Sequence, residues 1–456
     1  MQLPQPFIQS IEGLPGFDKE AFEQVHQSGE QVTSIRVNPL KKFETRNAKF
    51  EMSPVPWTQY GFYLSQRPSF TFDPLFHAGC YYVQEASSMF LEQALKQTID
   101  LTQALKVLDL CAAPGGKSTH IQSIITPESL LVSNEVIKAR AGVLKQNIIK
   151  WGVNNVIVTN NDPQHFNRLE GFFDVMVVDA PCSGSGLFRR DEEAIQEWST
   201  DNVQLCYARQ RRILADALPA LKEGGVLVYS TCSYSKEEDE DIMDWLVSEQ
   251  GMENVPLQLH TDWHIVSTTA ATGAEGYRFY PDKVKGEGFF LSCFRKKEGS
   301  ERRYKMAKPD LATAKEKALL EPYIALDQLE VLKQGDTLFA FPKAQLEAFS
   351  IVQANLYLQY AGTTLGSIMK NKLVPDHALA VSHILSNAIP RYELTLEEAI
   401  RYLQRADLSI DPPVKGWQVV TYQNHNLGWI NALPNRINNY YPKEMRILKQ
   451  YNDSAI

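Results

Sequence analysis

Cysteine is sparse in this chain and is not arranged as a zinc site or a disulfide framework. No two of the six cysteines form a C-x-x-C pair. Zinc sites and small disulfide scaffolds depend on closely spaced cysteines, so neither is expected and no bound metal is predicted. The six are Cys80, Cys111, Cys182, Cys206, Cys232 and Cys293.

Targeting and membrane-spanning segments are missing as well. The N-terminal stretch MQLPQPFIQSIEGLPGFDKE has prolines and acids where a signal peptide has a basic start and an apolar run. No apolar stretch approaches the roughly 20 residues needed to cross a bilayer. We therefore expect a cytoplasmic protein with reduced thiols and no membrane partner. A monomer is the expected oligomeric state.

An excess of positive charge is also lacking, since 46 Lys and Arg stand against 54 Asp and Glu. The net charge of −8 argues only weakly against a nucleic-acid partner, because it averages over all faces of the molecule. Residues 278–310 carry ten basic and five acidic residues, which fits an RNA-facing surface and a solvated linker equally well. The acidic run KEEDEDIMD begins a predicted helix, and we interpret it as a solvated helix end.

What the chain does have is a regular alternation of strand and helix patterns. The strand candidates LKVLDLC, LLVSNE, NVIVTN, DVMVVDA and GVLVYST are separated by helical patterns, which predicts βαβ units and a mostly parallel sheet. A later strand, GFFLSCF, follows a long loop and predicts an antiparallel addition. We predict an α/β domain over residues 81–300, a small α+β region over 1–80 and an α+β extension over 301–456. An alternative division splits this extension near residue 405.

The segment VLDLCAAPGGKSTHI reads as a strand, a tight glycine turn and a helix start. Glycines let backbone N–H groups approach a ligand there. A P-loop is disfavoured because Cys111 stands where its first glycine belongs, and the dinucleotide fingerprint fails because residues 112–114 lack spaced glycines. We therefore predict a different cofactor at the carboxyl end of the first strand.

Acids at the ends of the next strands indicate which cofactor this is. Glu135, Asp162 and Asp179 follow three successive strand candidates. The first can accept hydrogen bonds from ribose hydroxyls, and the second can reach an adenine amino group. An adenosine without phosphates fits this set, and S-adenosylmethionine is the predicted cofactor.

Several segments together resemble the Nop/Sun family of RNA cytosine-5 methyltransferases. The segments CAAPGGKS, DAPCSGSGLFRR and STCSYSKEEDED look like the signatures of that family, and so do YYVQEASSM and RFYPDKVKGEGFF. The resemblance covers residues 30–295. The C-terminal stretch GWQVVTYQNHNLGWINALPNRINNYYPKEMR is similar to a PUA-like RNA-binding extension of bacterial members.

The resemblance implies a Rossmann-like class I methyltransferase sheet, mostly parallel with one antiparallel strand, between an N-terminal RNA-binding region and a PUA-like extension. It implies S-adenosylmethionine as methyl donor and small-subunit ribosomal RNA, free or in the 30S subunit, as partner and substrate. Transfer RNA is the alternative substrate, and a non-catalytic RNA-binding assembly factor is the alternative from another class. The cofactor-binding residues would be Cys111, Ala112, Ala113, Pro114, Gly115, Gly116, Lys117, Glu135, Arg140, Asp162 and Asp179.

The resemblance also assigns roles to two cysteines at strand ends. It implies that Cys232 is the nucleophile and that Cys182 assists product release, since carbon 5 of cytosine becomes reactive only after a thiolate adds to carbon 6. Lys117 is a candidate cation for thiol activation, with the cofactor carboxylate or an RNA phosphate as its alternative contact. Asp179 would hydrogen-bond the cytosine edge as a general acid. Ordinary packing is expected for Cys80, Cys206 and Cys293.

Basic residues elsewhere are candidates for RNA contact. Arg189 and Arg190 would either meet phosphates or pair with Asp191 and Glu192. The segment SIRVNPLK and the basic residues of the C-terminal stretch would extend the footprint; the latter are Arg436, Lys443 and Arg446. Asp282 stands where the family commonly has histidine.

Overall fold

The computed structural model describes residues 3–43, 51–300 and 302–451. Its N-terminal region holds three helices and a four-stranded antiparallel sheet in the order β2-β3-β1-β4. The elements are α1 (Gln5–Ile11), α2 (Lys19–Gln27), β1 (Thr33–Val37), β2 (Met52–Pro54), β3 (Gly61–Leu64), α3 (Pro74–His77) and β4 (Tyr81–Val83).

The middle of the chain forms the predicted βαβ units. Its elements are α4 (Leu91–Thr98), β5 (Lys106–Asp109), α5 (Gly116–Gln122), β6 (Leu130–Asn134), α6 (Lys138–Trp151), β7 (Val156–Thr159), β8 (Phe173–Asp179), α7 (Glu192–Glu197), α8 (Thr200–Ala217), β9 (Leu221–Thr231), α9 (Glu240–Ser248), β10 (Met252–Asn254), β11 (Val266–Thr269), β12 (Glu275–Phe279) and β13 (Phe289–Lys296).

The C-terminal part contributes α10 (Ala314–Ala318), β14 (Leu329–Gln334), β15 (Thr337–Pro342), α11 (Leu346–Asn355), β16 (Leu358–Ala361), β17 (Thr363–Met369), β18 (Lys372–Pro375), α12 (His377–Val381), β19 (Arg391–Glu393), α13 (Leu396–Leu403), β20 (Gly416–Tyr422), β21 (His425–Leu433) and β22 (Arg436–Asn439). Two four-stranded sheets form here, in the orders β14-β15-β17-β18 and β19-β20-β21-β22.

The central sheet is the core of the molecule. Its main path runs β11-β12-β13-β9-β8-β5-β6-β7-β16, and β5 to β9 pair in parallel. These strands are apolar and rich in β-branched residues, as expected for strands with both faces covered. Both β6 and β7 are buried along their whole length. One hydrophobic cluster fills each face, with Leu108 and Met176 on one side and Val107 and Val175 on the other.

The predicted fold class is confirmed, with more antiparallel pairing than the single strand expected. The strand that the sequence predicts, β13, pairs antiparallel with β9. It is joined by β10 and β12, and β11 pairs antiparallel with β12 in turn. At the opposite edge β16, which lies beyond residue 300, pairs antiparallel with β7. Within the described part of the chain, no helix has the length and apolar character needed to cross a membrane.

The N-terminal sheet packs between the methyltransferase-like sheet and the C-terminal part. The Arg36 guanidinium is fully buried and donates to Thr119 Oγ1 (2.6 Å) and Ser123 Oγ (2.9 Å) near α5. Ile35, the preceding residue on β1, packs instead in a cluster with residues of α13 and β21. The expectation that SIRVNPLK contacts RNA is therefore wrong for Arg36, which has no exposed surface.

Candidate active site

Parallel strands place the predicted site residues along one edge of the sheet. The residues that follow β5, β6, β7, β8 and β9 all lie at the carboxyl ends of these strands, which are neighbours in the order β9-β8-β5-β6-β7. Ligands bind at this edge in open α/β sheets, where the strand order reverses. Here the strand order reverses at β5. The chain adds β6 and β7 on one side of β5 and then crosses over to add β8 and β9 on the other side.

The glycine loop, residues 111–117, connects β5 to α5. Gly115 has φ of +117°, a conformation that side-chain-bearing residues rarely adopt, and a Cβ on it would also lie close to Leu144 Cδ1 (3.2 Å). Backbone groups of the loop are held from the side of β6 and α6. Ala112 N donates to Asn134 O (2.8 Å), and Arg140 Nη2 donates to Ala113 O (2.9 Å).

The acids after β6 and β7 differ in their surroundings. Glu135 is 3% exposed; its Oε1 accepts from Ile137 N (2.9 Å) and its Oε2 lies 3.6 Å from Arg140 Nη1. Asp162 is more open: it accepts from Gln164 N (3.0 Å), and its Oδ1 lies 3.5 Å from an Arg212 nitrogen on α8. Arg140 therefore connects Glu135 to the glycine loop.

Asp109, at the end of β5, belongs to this site and is absent from the sequence prediction. It is fully buried, and its Oδ2 accepts from Ser118 Oγ (2.6 Å), while its Oδ1 has no hydrogen-bond partner. Burial raises its pKa to about 7. The signal was present in the sequence, because this acid ends the first strand just as the three predicted acids follow the next strands.

Asp179 connects the glycine loop to the strand that carries Cys232. Its Oδ2 lies 2.7 Å from Lys117 Nζ, and its Oδ1 accepts from Ser230 Oγ (2.9 Å) on β9. Lys117 is largely buried and also lies over the Phe289 ring, 5.2 Å from its centroid. The partner of the Lys117 ammonium is thus this carboxylate.

The two strand-end cysteines are in contact. The sulfur atoms of Cys182, after β8, and Cys232, after β9, lie 2.8 Å apart. The hydrogen bond to Cys232 and burial raise the pKa of the Cys182 thiol well above its ordinary value. Cys182 therefore keeps its proton at neutral pH, and its sulfur shares a hydrogen bond with the Cys232 sulfur in which either thiol can be the donor.

A buried carboxylate that the sequence prediction missed holds the two cysteine loops together. Glu238 is fully buried and accepts from Ser183 N (2.8 Å), Ser233 Oγ (2.6 Å) and Gln210 Nε2 (3.1 Å). Ser183 and Ser233 directly follow Cys182 and Cys232, so one carboxylate fixes both thiols. Burial raises the pKa of Glu238.

The interpretation of the acidic run as a solvated helix end is therefore wrong for its central residues. Asp239 is fully buried and Glu240 nearly so. The guanidinium of Arg278 on β12 pairs with both, 3.1 Å from Asp239 and also in contact with Glu240. Burial nonetheless raises the pKa of Asp239 well above its ordinary value. The charges are buried because β12, which lies far along the chain, supplies their partner.

The predicted pairing of Arg189 and Arg190 with Asp191 and Glu192 is wrong. Arg189 is buried, whereas Arg190 is exposed and its predicted phosphate contact stays a prediction. Each side chain lies near the buried carboxylate of Glu287, at 3.5 Å and 3.4 Å respectively, and neither pairs with Asp191 or Glu192. Their other contacts are main-chain carbonyls, Glu30 O for Arg189 and Val32 O for Arg190. These arginines attach the loop after Cys182 to the N-terminal region.

The remaining predicted residues have mixed outcomes. Cys80, Cys206 and Cys293 are buried, as expected for packing. Within the basic stretch of residues 278–310, Arg278 and Lys296 bind internal partners, in the second case the carbonyl of Leu221 (2.7 Å). Asp282 pairs with its neighbour Lys283 (2.9 Å). Four of the basic residues predicted to contact RNA are exposed: Arg190, Arg436, Lys443 and Arg446.

Comparisons with known proteins match this architecture in three segments. Residues 96–295 match the family described as 16S rRNA methyltransferase RsmB/F. Residues 3–86 match the N-terminal domain of 16S rRNA methyltransferase RsmF, and residues 389–447 match the methyltransferase RsmF PUA domain. The predicted PUA-like character of the C-terminal end is thereby confirmed.

Individual relatives extend the similarity over nearly the whole chain. Ribosomal RNA small subunit methyltransferase F from Pectobacterium carotovorum is 31% identical over 443 residues, covering 90% of this chain and 89% of that protein. The protein of the same name from Psychromonas ingrahamii is 30% identical and covers 97% of both chains.

Solved structures share the fold of about two thirds of the chain. A methyltransferase homolog protein from Pyrococcus horikoshii has a TM-score of 0.52 and 29% identity, over 64% of this chain and 100% of its own. NSun6 from Pyrococcus horikoshii with SFG, at 20% identity and a TM-score of 0.53, covers 65% of this chain and 98% of its own and shows the shared fold alone.

Fold and site together define an RNA methyltransferase built on a class I sheet, with an RsmF-type N-terminal domain and a C-terminal PUA domain. More particularly, the chain belongs to the ribosomal RNA small subunit methyltransferase F family. Methylation of ribosomal RNA is its activity at the level that this membership establishes.

Proposed function

We propose that this enzyme transfers a methyl group from S-adenosylmethionine to carbon 5 of a cytosine in 16S ribosomal RNA, through a covalent bond between Cys232 and the pyrimidine. The observation that carries the proposal is the contact between the Cys182 and Cys232 sulfurs, 2.8 Å apart at the ends of adjacent strands. A methyl transfer to an oxygen or nitrogen would need no such pair, because those atoms are nucleophiles themselves.

The residues at the sheet edge fit an adenosine-bearing donor. The glycine loop turns tightly at Gly115, whose φ is +117°, and Glu135 presents a buried carboxylate at the end of the neighbouring strand. In this proposal Glu135 binds the ribose hydroxyls, Asp162 reaches the adenine, and Lys117 with residues 111–116 surrounds the amino-acid end. The donor supplies the methyl carbon. Arg140 holds the loop in place through Ala113.

The chain's own groups then activate the ring. The Cys232 thiolate adds to carbon 6, and the electron pair of the 5,6 double bond moves through the ring to nitrogen 3. Asp179 enters this step as the carboxylic acid and gives nitrogen 3 its proton; the carboxylate so formed pairs with the Lys117 ammonium, 2.7 Å away. Carbon 5 becomes an enamine carbon and accepts the methyl group. A base then removes the proton on carbon 5, the bond from carbon 6 to sulfur breaks, and nitrogen 3 returns its proton.

The pKa of Cys182 supports its assignment to the release step. A thiol that stays protonated is a poor nucleophile and a good hydrogen-bond donor. Because the Cys182 thiol lies against the Cys232 sulfur, it can stabilise the thiolate as that sulfur leaves the ring. Cys232 is therefore the nucleophile in this proposal.

Substituting each cysteine by alanine tests these roles. Cys232→Ala should abolish transfer of tritiated methyl to 16S ribosomal RNA and give no covalent complex. Cys182→Ala should accumulate a covalent protein–RNA complex that survives denaturing electrophoresis, because the departing thiolate has lost its donor. The reverse pattern would exchange the two roles.

Cys206→Ala is the matched control, since this cysteine is buried on α8 and should leave both readouts unchanged. Assaying 16S ribosomal RNA beside transfer RNA distinguishes the proposed substrate from its alternative. Bisulfite sequencing of the product would show a resistant cytosine if carbon 5 is the acceptor, and its absence despite methyl incorporation would contradict the proposed chemistry.

A further inference from the structure

A large cavity lies away from the sheet edge, between the N-terminal sheet and the C-terminal part. Its volume is about 930 Å³, which is within the range of small-molecule and nucleotide sites. One wall comes from β1 and residues 64–75, and the other from residues 381–391 and the hairpin turn between β20 and β21. The cavity shares no lining residue with the glycine loop or the cysteine loops.

The polar lining of the cavity is predominantly positive. It includes Lys41, Lys42 and Arg391, against one carboxylate, Asp73. The Asp73 carboxylate is already engaged, accepting from Leu75 N (2.9 Å) and Tyr81 Oη (2.5 Å). An anion that entered the cavity would thus meet cations rather than free carboxylates.

Lys41 is a cation without an opposite charge among the described residues. Its Nζ donates to the main-chain carbonyls of Ala78 (2.8 Å) and Val381 (2.5 Å), of which Val381 lines the cavity. Burial lowers its pKa to about 8. A bound phosphate would supply the missing negative charge and would stabilise the ammonium.

Five aromatic rings stand among an otherwise aliphatic apolar lining. Phe70 and Phe72 come from the loop after β3, and Tyr422 ends β20 on the opposite wall. Unpaired bases stack on such rings, at about 1–3 kcal/mol per base, whatever their sequence. Cations beside stacking rings are the combination that binds single-stranded RNA.

The position of the cavity suits a strand that also reaches the cysteines. Arg140, in the first turn of α6, contacts the glycine loop, whereas the carbonyl of Gly152, just after the last turn, accepts from His383 of the cavity wall (2.8 Å). A helix of fourteen residues is about 21 Å long. The cavity and the cofactor loop are therefore separated by several nucleotides of extended RNA.

We propose that this cavity binds an unpaired nucleotide of the RNA substrate other than the target cytosine, with its phosphate at Lys41 and Lys42 and its base among Phe70, Phe72 and Tyr422. The inference rests on RNA being the substrate. It adds a second, distant point of attachment, so the enzyme would recognise the arrangement of two unpaired nucleotides rather than one.

The first test reverses the exposed charge at the rim. Lys42→Glu should weaken binding of 16S ribosomal RNA at least fivefold and raise KM with kcat unchanged. The slope of log Kd against log salt concentration should fall in magnitude by about 0.7–1, the value for one lost phosphate contact. Lys315→Glu, at an exposed lysine on α10 outside the cavity, should change none of these. Equal affinity and slope for wild type and Lys42→Glu would overturn the proposal.

The second test identifies the occupant. A photo-crosslinking benzophenone amino acid at Ser69, an exposed lining residue, should couple to one unpaired nucleotide that is not the methylated cytosine. Crosslinks confined to the target cytosine, to ribosomal protein or to nothing would contradict the inference. If wild-type enzyme methylates its RNA in the same reaction, such a result rejects the cavity site and leaves the proposed function standing.

Discussion

At the scale of single residues, the site depends on carboxylates that face inward. Glu238 receives hydrogen bonds from both serines that follow the cysteines and from Gln210. Its charge also contributes to raising the pKa of Cys182, after the hydrogen bond to Cys232 and burial. One side chain therefore fixes the loops that carry both thiols and adds to the raised pKa of Cys182.

Replacing Glu238 by glutamine should separate these effects from general stability. The amide NH₂ would face donors that now have an acceptor, which costs about 1–3 kcal/mol of unfolding free energy. We expect a lower melting temperature, at least a tenfold loss of kcat with little change in KM, and an activity profile whose alkaline limb moves to lower pH, because the negative charge beside Cys182 is gone. Denaturant unfolding and a pH–rate series measure these quantities.

Glu237→Gln provides the comparison, since this neighbouring side chain is only partly buried and makes one long contact, with Gln204 (3.4 Å). It should leave kcat and the pH profile unchanged. A Glu238→Gln enzyme with wild-type kcat would mean that the cysteine loops hold their positions without this carboxylate.

Asp109 gives a prediction about pH. Its folded pKa of about 7 lies above the ordinary value of 3.8, so between these pH values the folded protein binds a proton that the unfolded chain has released. Stability from this group is therefore present below pH 4 and is lost as pH rises to 7, by on the order of 4 kcal/mol. Asp109→Asn should be less sensitive to pH over this interval in the ligand-free protein.

The test compares the unfolding free energies of wild type and Asp109→Asn at pH 4.5 and at pH 7. Between these two pH values the unfolding free energy of wild type should fall more than that of the variant. Asp201→Asn, at an exposed carboxylate in the first turn of α8, should show no such gain. Parallel pH dependence in wild type and Asp109→Asn would show that the carboxyl is ionised in both states throughout.

At the scale of elements, the sequence predicts what is local and fails where partners are remote. The strands β5 to β9 could be predicted because each is a short apolar run before a turn, and the residues at their carboxyl ends followed from parallel pairing. The burial of Asp239 and Glu240 could not be predicted, because their partner Arg278 lies on β12, some forty residues along the chain. The partner of Arg189 and Arg190 likewise lies about a hundred residues downstream, at Glu287.

Motif matching could predict the Cys182–Cys232 pair but not its geometry. Both cysteines end apolar strands, and adjacent parallel strands bring their ends together. The loops that place one sulfur against the other are hydrogen-bonded to Glu238, whose acidic neighbours suggested a solvated helix. A dense run of charged residues normally indicates an exposed surface, whereas Glu238 and Asp239 of this run are buried beside the cysteine loops.

At the scale of the whole molecule, the C-terminal part completes the central sheet. Leu358, Tyr360 and Ala361 of β16 pair with β7. Phe341, Phe349 and other residues of this part share a hydrophobic cluster with the sheet itself. The boundary near residue 300 predicted from the sequence thus remains a prediction that truncation can test.

A chain ending at residue 300 should be poorly soluble. Removing β16 leaves β7 as an open edge of apolar residues, which pairs readily with other chains. The truncation also removes Phe341 and Phe349 and so uncovers the sheet residues of their cluster. A chain ending at residue 388 keeps β16 and lacks the segment that matches the PUA domain. It should give a larger soluble fraction, with the shorter chain in aggregates by size-exclusion chromatography. Equal solubility and equal melting temperatures for the two truncations would show that the sheet is stable without its last strand, and the domain boundary would then lie where the sequence suggests.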